Sequence, residues 1–178
     1  GRREVTLSRN IWIDREDFRQ EANKKFKRLV VGKRVRLRGG YVIEAERCDV
    51  DVHGEVTKVY ATVVPQTLGE DPDDGVKAKG VIHWVDQSNA VEAEIRSYDR
   101  LFAVSDPSSA KDFDQVINQN SLTTSTAFLE ASLAHAVSEA RYQFEREGYF
   151  IADRYDHSSE QPVFNKVIGL RDTWVTND

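Results

Sequence analysis

Arg34-Val35-Arg36-Leu37-Arg38 alternates cation and aliphatic residue without a break, and after Gly39-Gly40 the chain continues as Tyr41-Val42-Ile43-Glu44-Ala45-Glu46. A period of two puts Val35 and Leu37 on one face of a strand and the three arginines on the other. Glu55 to Val63 alternates in the same way, with His53-Gly54 as the turn before it. Further runs of strand character cover 76–85, 91–104, 140–153 and 162–170, each bounded by Gly, Pro, Asn, Asp or Ser. Helical signals are few and short: Asp14 to Phe18, Asp112 to Ile117, and the Ala-rich Glu130 to Val137. Many short strands with few helices predict an all-β protein of the sandwich or barrel kind. The polar stretch Asp86-Gln87-Ser88-Asn89 marks a boundary between two small β units. Between strands, Leu68-Gly69-Glu70-Asp71-Pro72-Asp73-Asp74-Gly75 is long and acidic, and is expected to project into solvent.

A chain of 178 residues can build one ordinary domain or two small ones. No apolar run approaches the roughly 18 residues of a membrane helix, and the first residues lack a signal-peptide pattern. A single cysteine, Cys48, excludes an internal disulfide and suits a reducing compartment. With no methionine and an abrupt Gly1-Arg2-Arg3 start, the chain is expected to be a piece of a longer one. The formal net charge of −5 argues at first against a nucleic-acid partner. Its distribution reverses that impression. Between Ala22 and Ile43 stand Lys24, Lys25, Lys27, Arg28, Lys33, Arg34, Arg36 and Arg38 with no Asp or Glu among them. A basic stripe on an acidic body attracts phosphate locally while the rest of the surface repels it.

Three guanidiniums at spacing two repel one another, so they make a poor self-contained surface. They suit a phosphate track or unpaired bases, since Arg offers a bidentate fork and a plane for stacking. A solvated face, or an edge defended by charge, is the alternative, and the density of the run favours nucleic acid. Phe26 between Lys25 and Lys27, and Tyr41 after the turn, are candidate stacking rings that also suit a core, and for Phe26 the core is the favoured reading. Gln143-Phe144-Glu145-Arg146-Glu147-Gly148-Tyr149-Phe150 reads as one strand, with Gln143, Glu145 and Glu147 on one face and Phe144 and Arg146 on the other. An amide such as Gln143 can pair with a base edge, but on spacing alone the segment is an ordinary strand. Chemistry is harder to find. His53, His83, His135 and His157 lack metal-ligand spacing with each other or with Cys48. Asp156-His157-Ser158 sets three catalytic residue types side by side, but a working triad is assembled in space. Asp71 to Gly75 falls short of a calcium loop. Trp12, Trp84 and Trp174 read as core. No catalytic residue and no metal ligand is assigned.

Several stretches, in order and spacing, resemble the C-terminal region of bacterial glutaminyl-tRNA synthetases. They are Ile11-Trp12-Ile13-Asp14-Arg15 with Phe18-Arg19, Glu21-Ala22-Asn23-Lys24, Lys27-Arg28-Leu29 and the basic strand, then Lys79-Gly80-Val81-Ile82-His83-Trp84-Val85. Glu94-Ile95-Arg96, Tyr98-Asp99-Arg100-Leu101-Phe102, the 143–150 segment, Pro162-Val163-Phe164-Asn165 and Gly169-Leu170-Arg171-Asp172-Thr173-Trp174 complete the set. The resemblance runs over nearly the whole chain. It implies a class I aminoacyl-tRNA synthetase, which joins glutamine to its tRNA with ATP and Mg²⁺, and whose C-terminal half is two β-barrels that splay the anticodon bases into pockets. The implied architecture is a first, distal barrel over 1–88 that carries the basic strand, and a second, proximal barrel over 89–178, incomplete in this chain, with a few short helices. The implied partner is the anticodon loop of glutamine tRNA, met by a cytoplasmic monomer with no membrane attachment. Matched by position, Arg36 corresponds to the arginine for the first anticodon base. Lys27 and Gln143 correspond to residues around the middle base, with Arg146 close by. Arg28 corresponds to the arginine for the third base, and Arg38 to a backbone or flanking contact. Lys25 stands where the family has glutamine. The His-Ile-Gly-His and Lys-Met-Ser-Lys-Ser type signatures are absent from these 178 residues. The family places both earlier, so this piece alone is expected to catalyse nothing and to bind no ATP or Mg²⁺.

Two alternatives share the barrel expectation: the anticodon domain of an archaeal or eukaryotic type glutamyl-tRNA synthetase, and a free-standing RNA binder similar to the ribosomal protein that holds 5S rRNA. Glutamine and glutamate anticodons differ at the third base, which turns attention to the surroundings of Arg28.

Overall fold

The computed structural model describes residues 3–170. These fall into two compact units, Leu7–Ser88 and a second made of residues 3–6 with 89–170. The first unit holds β1 (Ile11–Trp12), β2 (Phe18–Arg19), β3 (Leu29–Val30), β4 (Arg34–Leu37), β5 (Val42–Val50), β6 (Val56–Val63), β7 (Val81–Ile82) and β8 (Val85–Asp86). The second holds β9 (Val91–Tyr98), β10 (Leu122–Leu129), β11 (Arg141–Phe144), β12 (Gly148–Ala152) and β13 (Val163–Ile168). The chain is all-β. The three stretches with helical signals form single 3₁₀ turns at Arg15–Asp17, Asp114–Val116 and Ala131–His135, segments too short to nucleate an α-helix.

In the first unit the main sheet runs β6-β5-β4-β7, with β7 parallel to β4 and the other pairs antiparallel. Two short ladders, β1 with β8 and β2 with β3, form separate two-stranded sheets in the same unit. The alternation in β4 is realised: Val35 and Leu37 are fully buried while Arg34 and Arg36 face the other way. Around them pack Phe18, Leu29, Ile43, Ala45, Ile82 and Trp84. Side chains this size each contribute roughly 1.5–3 kcal/mol on leaving water. Trp84 also donates from Nε1 to the Arg38 carbonyl at 3.0 Å, which satisfies its polar atom inside the core. Trp12, expected in the core, is 41% exposed on its two-residue strand. Trp174 and the end of the Gly169 to Trp174 motif lie outside the described residues.

The second unit is one five-stranded sheet in the order β10-β9-β13-β12-β11, with β13 parallel to β9. Its core is Ala93, Ile95, Leu129, Phe150, Ala152 and Phe164. Phe144 stacks on Phe150 at 4.3 Å between ring centroids, and Phe144 and Tyr142 meet Phe164 edge-on. The ladders of both units have open edges among the described residues, so the barrel closure expected from the sequence is not part of the observed pairing. Periodicity does not reveal β10. Thr123, Thr124, Ser125 and Thr126 all face solvent on an edge strand, so no apolar alternation marks it, and β-branched composition is its only signal.

Two further expectations are corrected. The 143–150 segment is a hairpin, not one strand: β11 ends at Phe144, a turn occupies Glu145-Arg146-Glu147, and β12 begins at Gly148. Arg146 has φ +68° and Gly148 φ +144°, and a Cβ on Gly148 would stand 2.3 Å from the Ile168 carbonyl oxygen. That close approach needs glycine. The acidic loop, for its part, does not project freely. It folds back on β4.

Candidate nucleic-acid interface

The segment before β3 displays its cations through a turn. Phe26 N–H donates to the Asn23 carbonyl, while Asn23 Oδ1 accepts from Lys25 N–H at 2.9 Å. An Asx side chain that mimics a backbone turn leaves Lys24, Lys25 and Lys27 pointing into solvent. Phe26 is half-buried, with the Arg19 guanidinium 4.7 Å from its ring centroid, so one face of this candidate stacking ring is already covered. Arg28 is oriented from below. Its Nε donates at 3.0 Å to Oδ1 of Asp17, a carboxylate only 2% exposed, and its Nη1 reaches the Lys27 carbonyl at 3.2 Å. The outer edge of the guanidinium therefore sits at a set angle on a buried anion.

Gly80 joins this segment to the basic strand. Its carbonyl accepts the Arg36 N–H at 2.9 Å, and a Cβ on Gly80 would lie 2.1 Å from the Lys27 carbonyl oxygen. Only a residue without a side chain lets Lys27 and Arg28 come this close to the strand that carries Arg36. Lys27, Arg28, Arg36 and Arg38 are thus brought together within one unit, with the Arg38 side chain exposed beyond the end of β4.

The repulsion between neighbouring guanidiniums is relieved by the acidic loop. Arg34 pairs with Glu44 of the adjacent strand at 2.7 Å, and its Nη1 contacts both oxygens of Asp74 at 2.8 and 2.7 Å. Asp74 is held below the usual carboxylate range by the Val76 N–H first and by Arg34 second, and Arg34 is held more firmly protonated by Glu44 first and Asp74 second. Arg36 donates from Nη1 to the Thr67 and Gly40 carbonyls and from Nη2 to the Glu70 carbonyl, with Asp71 3.5 Å away. The alternating strand thus sorts its three cations into a clamped one, an oriented one and an exposed one. Charge repulsion, which suggested RNA as the relief, is answered partly within the chain.

Gln143 and Arg146 belong to the second unit. Gln143 is exposed on the edge strand β11, opposite Tyr149, and Arg146 is exposed at the hairpin turn. In the same unit Arg96 ties Glu94 at 2.6 Å and Asp156 at 2.6 Å, while Asp153 accepts from Asn165 at 2.6 Å. Asp153 is held at about 2, by the Asp156 N–H first, then the Asn165 amide and the Tyr155 N–H. His157 is a structural bridge: Val163 N–H donates to Nδ1, and Nε2 donates to the Ala136 carbonyl. Asp156 and His157 therefore serve separate bonds. In the first unit, Asp86 is held at about 2 by the Ser88 hydroxyl and by Ser8. Among the described residues no group of three or more His, Cys, Asp or Glu is placed to hold a metal ion. No helix among them is long and apolar enough to cross a membrane.

The supporting residues Asp17, Thr67, Asp74 and Gly80 escaped sequence reasoning, because their partners lie far off in the chain. Gly80 was visible only as part of a motif with no stated role, and Asp74 only as part of an acidic loop expected to face solvent.

An outward-facing array of exposed cations over oriented guanidiniums can take phosphates through lysine and base edges through arginine. The family profile described as "tRNA synthetases class I (E and Q), anti-codon binding domain" matches residues 1–64, and a second profile of the same description matches residues 81–153. The chain is 58% identical to a glutamine–tRNA ligase of Vibrio parahaemolyticus over 98% of its own length and 32% of that protein's. Over the same shares it is 58% identical to the glutamine–tRNA ligase of Serratia proteamaculans and 55% to that of Escherichia coli O157:H7. The chain thus spans about a third of the length of the curated relatives it matches.

Proposed function

Since the chain belongs to the anticodon-binding domains of the class I (E and Q) tRNA synthetases, we propose that it reads the anticodon loop of glutamine tRNA on behalf of a glutamine–tRNA ligase. The identity of 55–58% to glutamine–tRNA ligases across nearly the whole chain carries the choice of glutamine over glutamate. In this reading Arg36 meets the first anticodon base, Lys27 and Gln143 flank the middle base with Arg146 beside them, and Arg28 meets the third. Arg38 contacts the backbone or the flank of a base. Residues 1–88 act as the distal module and 89–178 as the proximal one.

The physical basis is differential hydrogen bonding. An unstacked base exposes its Watson–Crick edge, and each good bidentate contact discriminates by about 1–3 kcal/mol. Lys24, Lys25 and Lys27 supply a sequence-independent attraction to phosphate. Ligation itself, with ATP and Mg²⁺, belongs to the parent enzyme, and no residue of this chain is assigned to it. The parent is read as a cytoplasmic monomer.

Fluorescence anisotropy tests this. The chain is titrated with the glutamine-tRNA anticodon stem-loop and with a middle-base variant, at several salt concentrations. Salt-dependent binding that is weaker for the variant is expected. Equal binding to both would reduce the interface to a phosphate-attracting stripe, and no binding at low salt would deny the isolated chain any reading of its own.

A further inference from the structure

The loop that spans residues 67–74 is tied down at both ends, and the guanidinium of Arg36 lies between the ties. At the near end Thr67 is fully buried. Its hydroxyl accepts from Val42 N–H at 2.9 Å and donates to the Val64 carbonyl at 2.7 Å, which locks it to the first residue of β5. Gln66 immediately before it has φ +59°, a conformation rare outside glycine, so the chain is bent there to deliver Thr67 to this site. The Thr67 carbonyl then accepts from Arg36 Nη1. At the far end Asp74 is gripped by Arg34 through both carboxylate oxygens, while its Oδ1 also accepts from Val76 N–H. Between them Glu70 offers its carbonyl to Arg36 Nη2, and Gly40 offers a third carbonyl from the other side.

Arginine has five N–H donors in a rigid plane. Carbonyls of Thr67, Gly40 and Glu70 take three of them. Two donors remain without a hydrogen bond among the described residues, the number that a bidentate contact to one base edge requires. The Asp71 carboxylate, two-thirds exposed, lies 3.5 Å from Nη2.

From this geometry we infer that the 67–74 loop is a positioning frame for Arg36, in which Thr67 and the Arg34–Asp74 pair hold the guanidinium at the angle from which its two remaining donors meet the first anticodon base. Thr67 and Asp74 are positioning residues. Arg34, although central in the basic stripe, acts as the loop's clamp and not as an RNA contact. Its side chain is only 15% exposed, and its Nε and Nη1 are held by the Glu44 and Asp74 carboxylates. The inference rests on the assignment of Arg36 to the first base. It goes further in making the selectivity of that arginine depend on residues that never touch RNA.

The experiment measures a ratio of affinities: the cognate glutamine anticodon stem-loop against one changed only at the first base. The full chain and its Arg36→Ala, Thr67→Val, Thr67→Ser and Asp74→Asn variants are compared at several salt concentrations, and thermal melts report the fold of each. A bidentate contact gives a ratio of roughly ten or more. Thr67→Val is expected to cut the ratio several-fold with an unchanged salt slope, since no cation is lost, and Thr67→Ser is expected to restore it. Asp74 lies half-exposed, so Asp74→Asn keeps the fold and is expected to lower the ratio as well. A purely structural role would lower the melting temperature and leave the ratio alone. If Asp74→Asn raises affinity for both stem-loops equally, the carboxylate merely competes with phosphate, and the frame is overturned. If Arg36→Ala collapses the ratio but Thr67→Val and Asp74→Asn do not, the frame fails and the base assignment stands. If Arg36→Ala leaves the ratio untouched, or the unsubstituted chain binds neither stem-loop, the assignment falls and the frame with it.

Discussion

Asp17, 2% exposed, holds Arg28 by a 3.0 Å bond to Nε, so a buried carboxylate sets the direction of an exposed guanidinium edge. The pair is asymmetric, since a third of the Arg28 side chain reaches solvent. Arg28→Ala removes one charged partner of a carboxylate that has no access to water and is expected to destabilise the chain by about 1.5–3 kcal/mol. Asp17→Asn leaves a guanidinium that water can still reach and should cost about 1 kcal/mol. Urea denaturation of both single variants and the double variant checks this. The double variant should be more stable than additivity predicts.

Gly80 is the point where the Lys27 carbonyl and the Arg36 N–H meet. Gly80→Ala puts a Cβ 2.1 Å from a backbone oxygen, so one strand has to shift. We expect a loss of about 1–3 kcal/mol in denaturation, together with weaker stem-loop binding at every salt concentration, because Lys27 and Arg28 move away from Arg36. Full affinity in the alanine variant would show that this spacing is irrelevant to RNA.

Gln143 is uncharged and exposed on β11. Gln143→Ala should relax the preference for the middle base while the salt slope of binding stays the same, since no counterion release is lost. A change in slope of about one in anisotropy titrations would contradict an amide–base contact there.

The Asp153 carboxyl, held at about 2 against an unfolded value of about 3.9, links the second unit to pH. Its folded value is depressed, so its contribution is fully present above the unfolded value and fades as pH falls through about 4 towards 2. Asp153→Asn should be less stable than the parent chain at pH 6, with the difference shrinking at pH 3. Chemical denaturation at the two pH values checks the sign.

What the sequence displays depends on whether the signal is local. The alternation of Arg34 to Leu37 and the start of β9 are written in consecutive residues, so their faces were legible. The run 56–63 announced a strand but not its faces, since Val56, Val59 and Tyr60 are partly buried while Ala61 and Val63 are exposed. β10 was not, because Thr123 to Thr126 bury nothing and a strand that faces water on both sides has no period to read. The 143–150 segment misled because Gln143, Glu145 and Glu147 alternate by accident. The decisive residue there is Gly148, whose close approach to Ile168 no local pattern announces. The acidic loop was misplaced for a related reason. A run of carboxylates looks solvated until a second run of cations is known to lie opposite, and the pairing of Arg34 with Asp74 spans forty residues. Cation positions were readable; the anions that set their directions were not.

The parallel ladder between β9 and β13 has a consequence for how the second unit comes into being. β9 and β10 are complete long before Val163 is made, yet the strand that lies against the other side of β9, and that brings Phe164 into the core, is the last one described. While the chain emerges from a ribosome, the β9–β10 ribbon waits with Ala93, Ile95 and Leu129 uncovered and one edge open. Pairing across so long a stretch is slow, and such a species is prone to stick to its neighbours. A chain stalled before Val163 should therefore aggregate as it is born, whereas one that reaches Ile168 can zip its final strand into place and become soluble in a single late step.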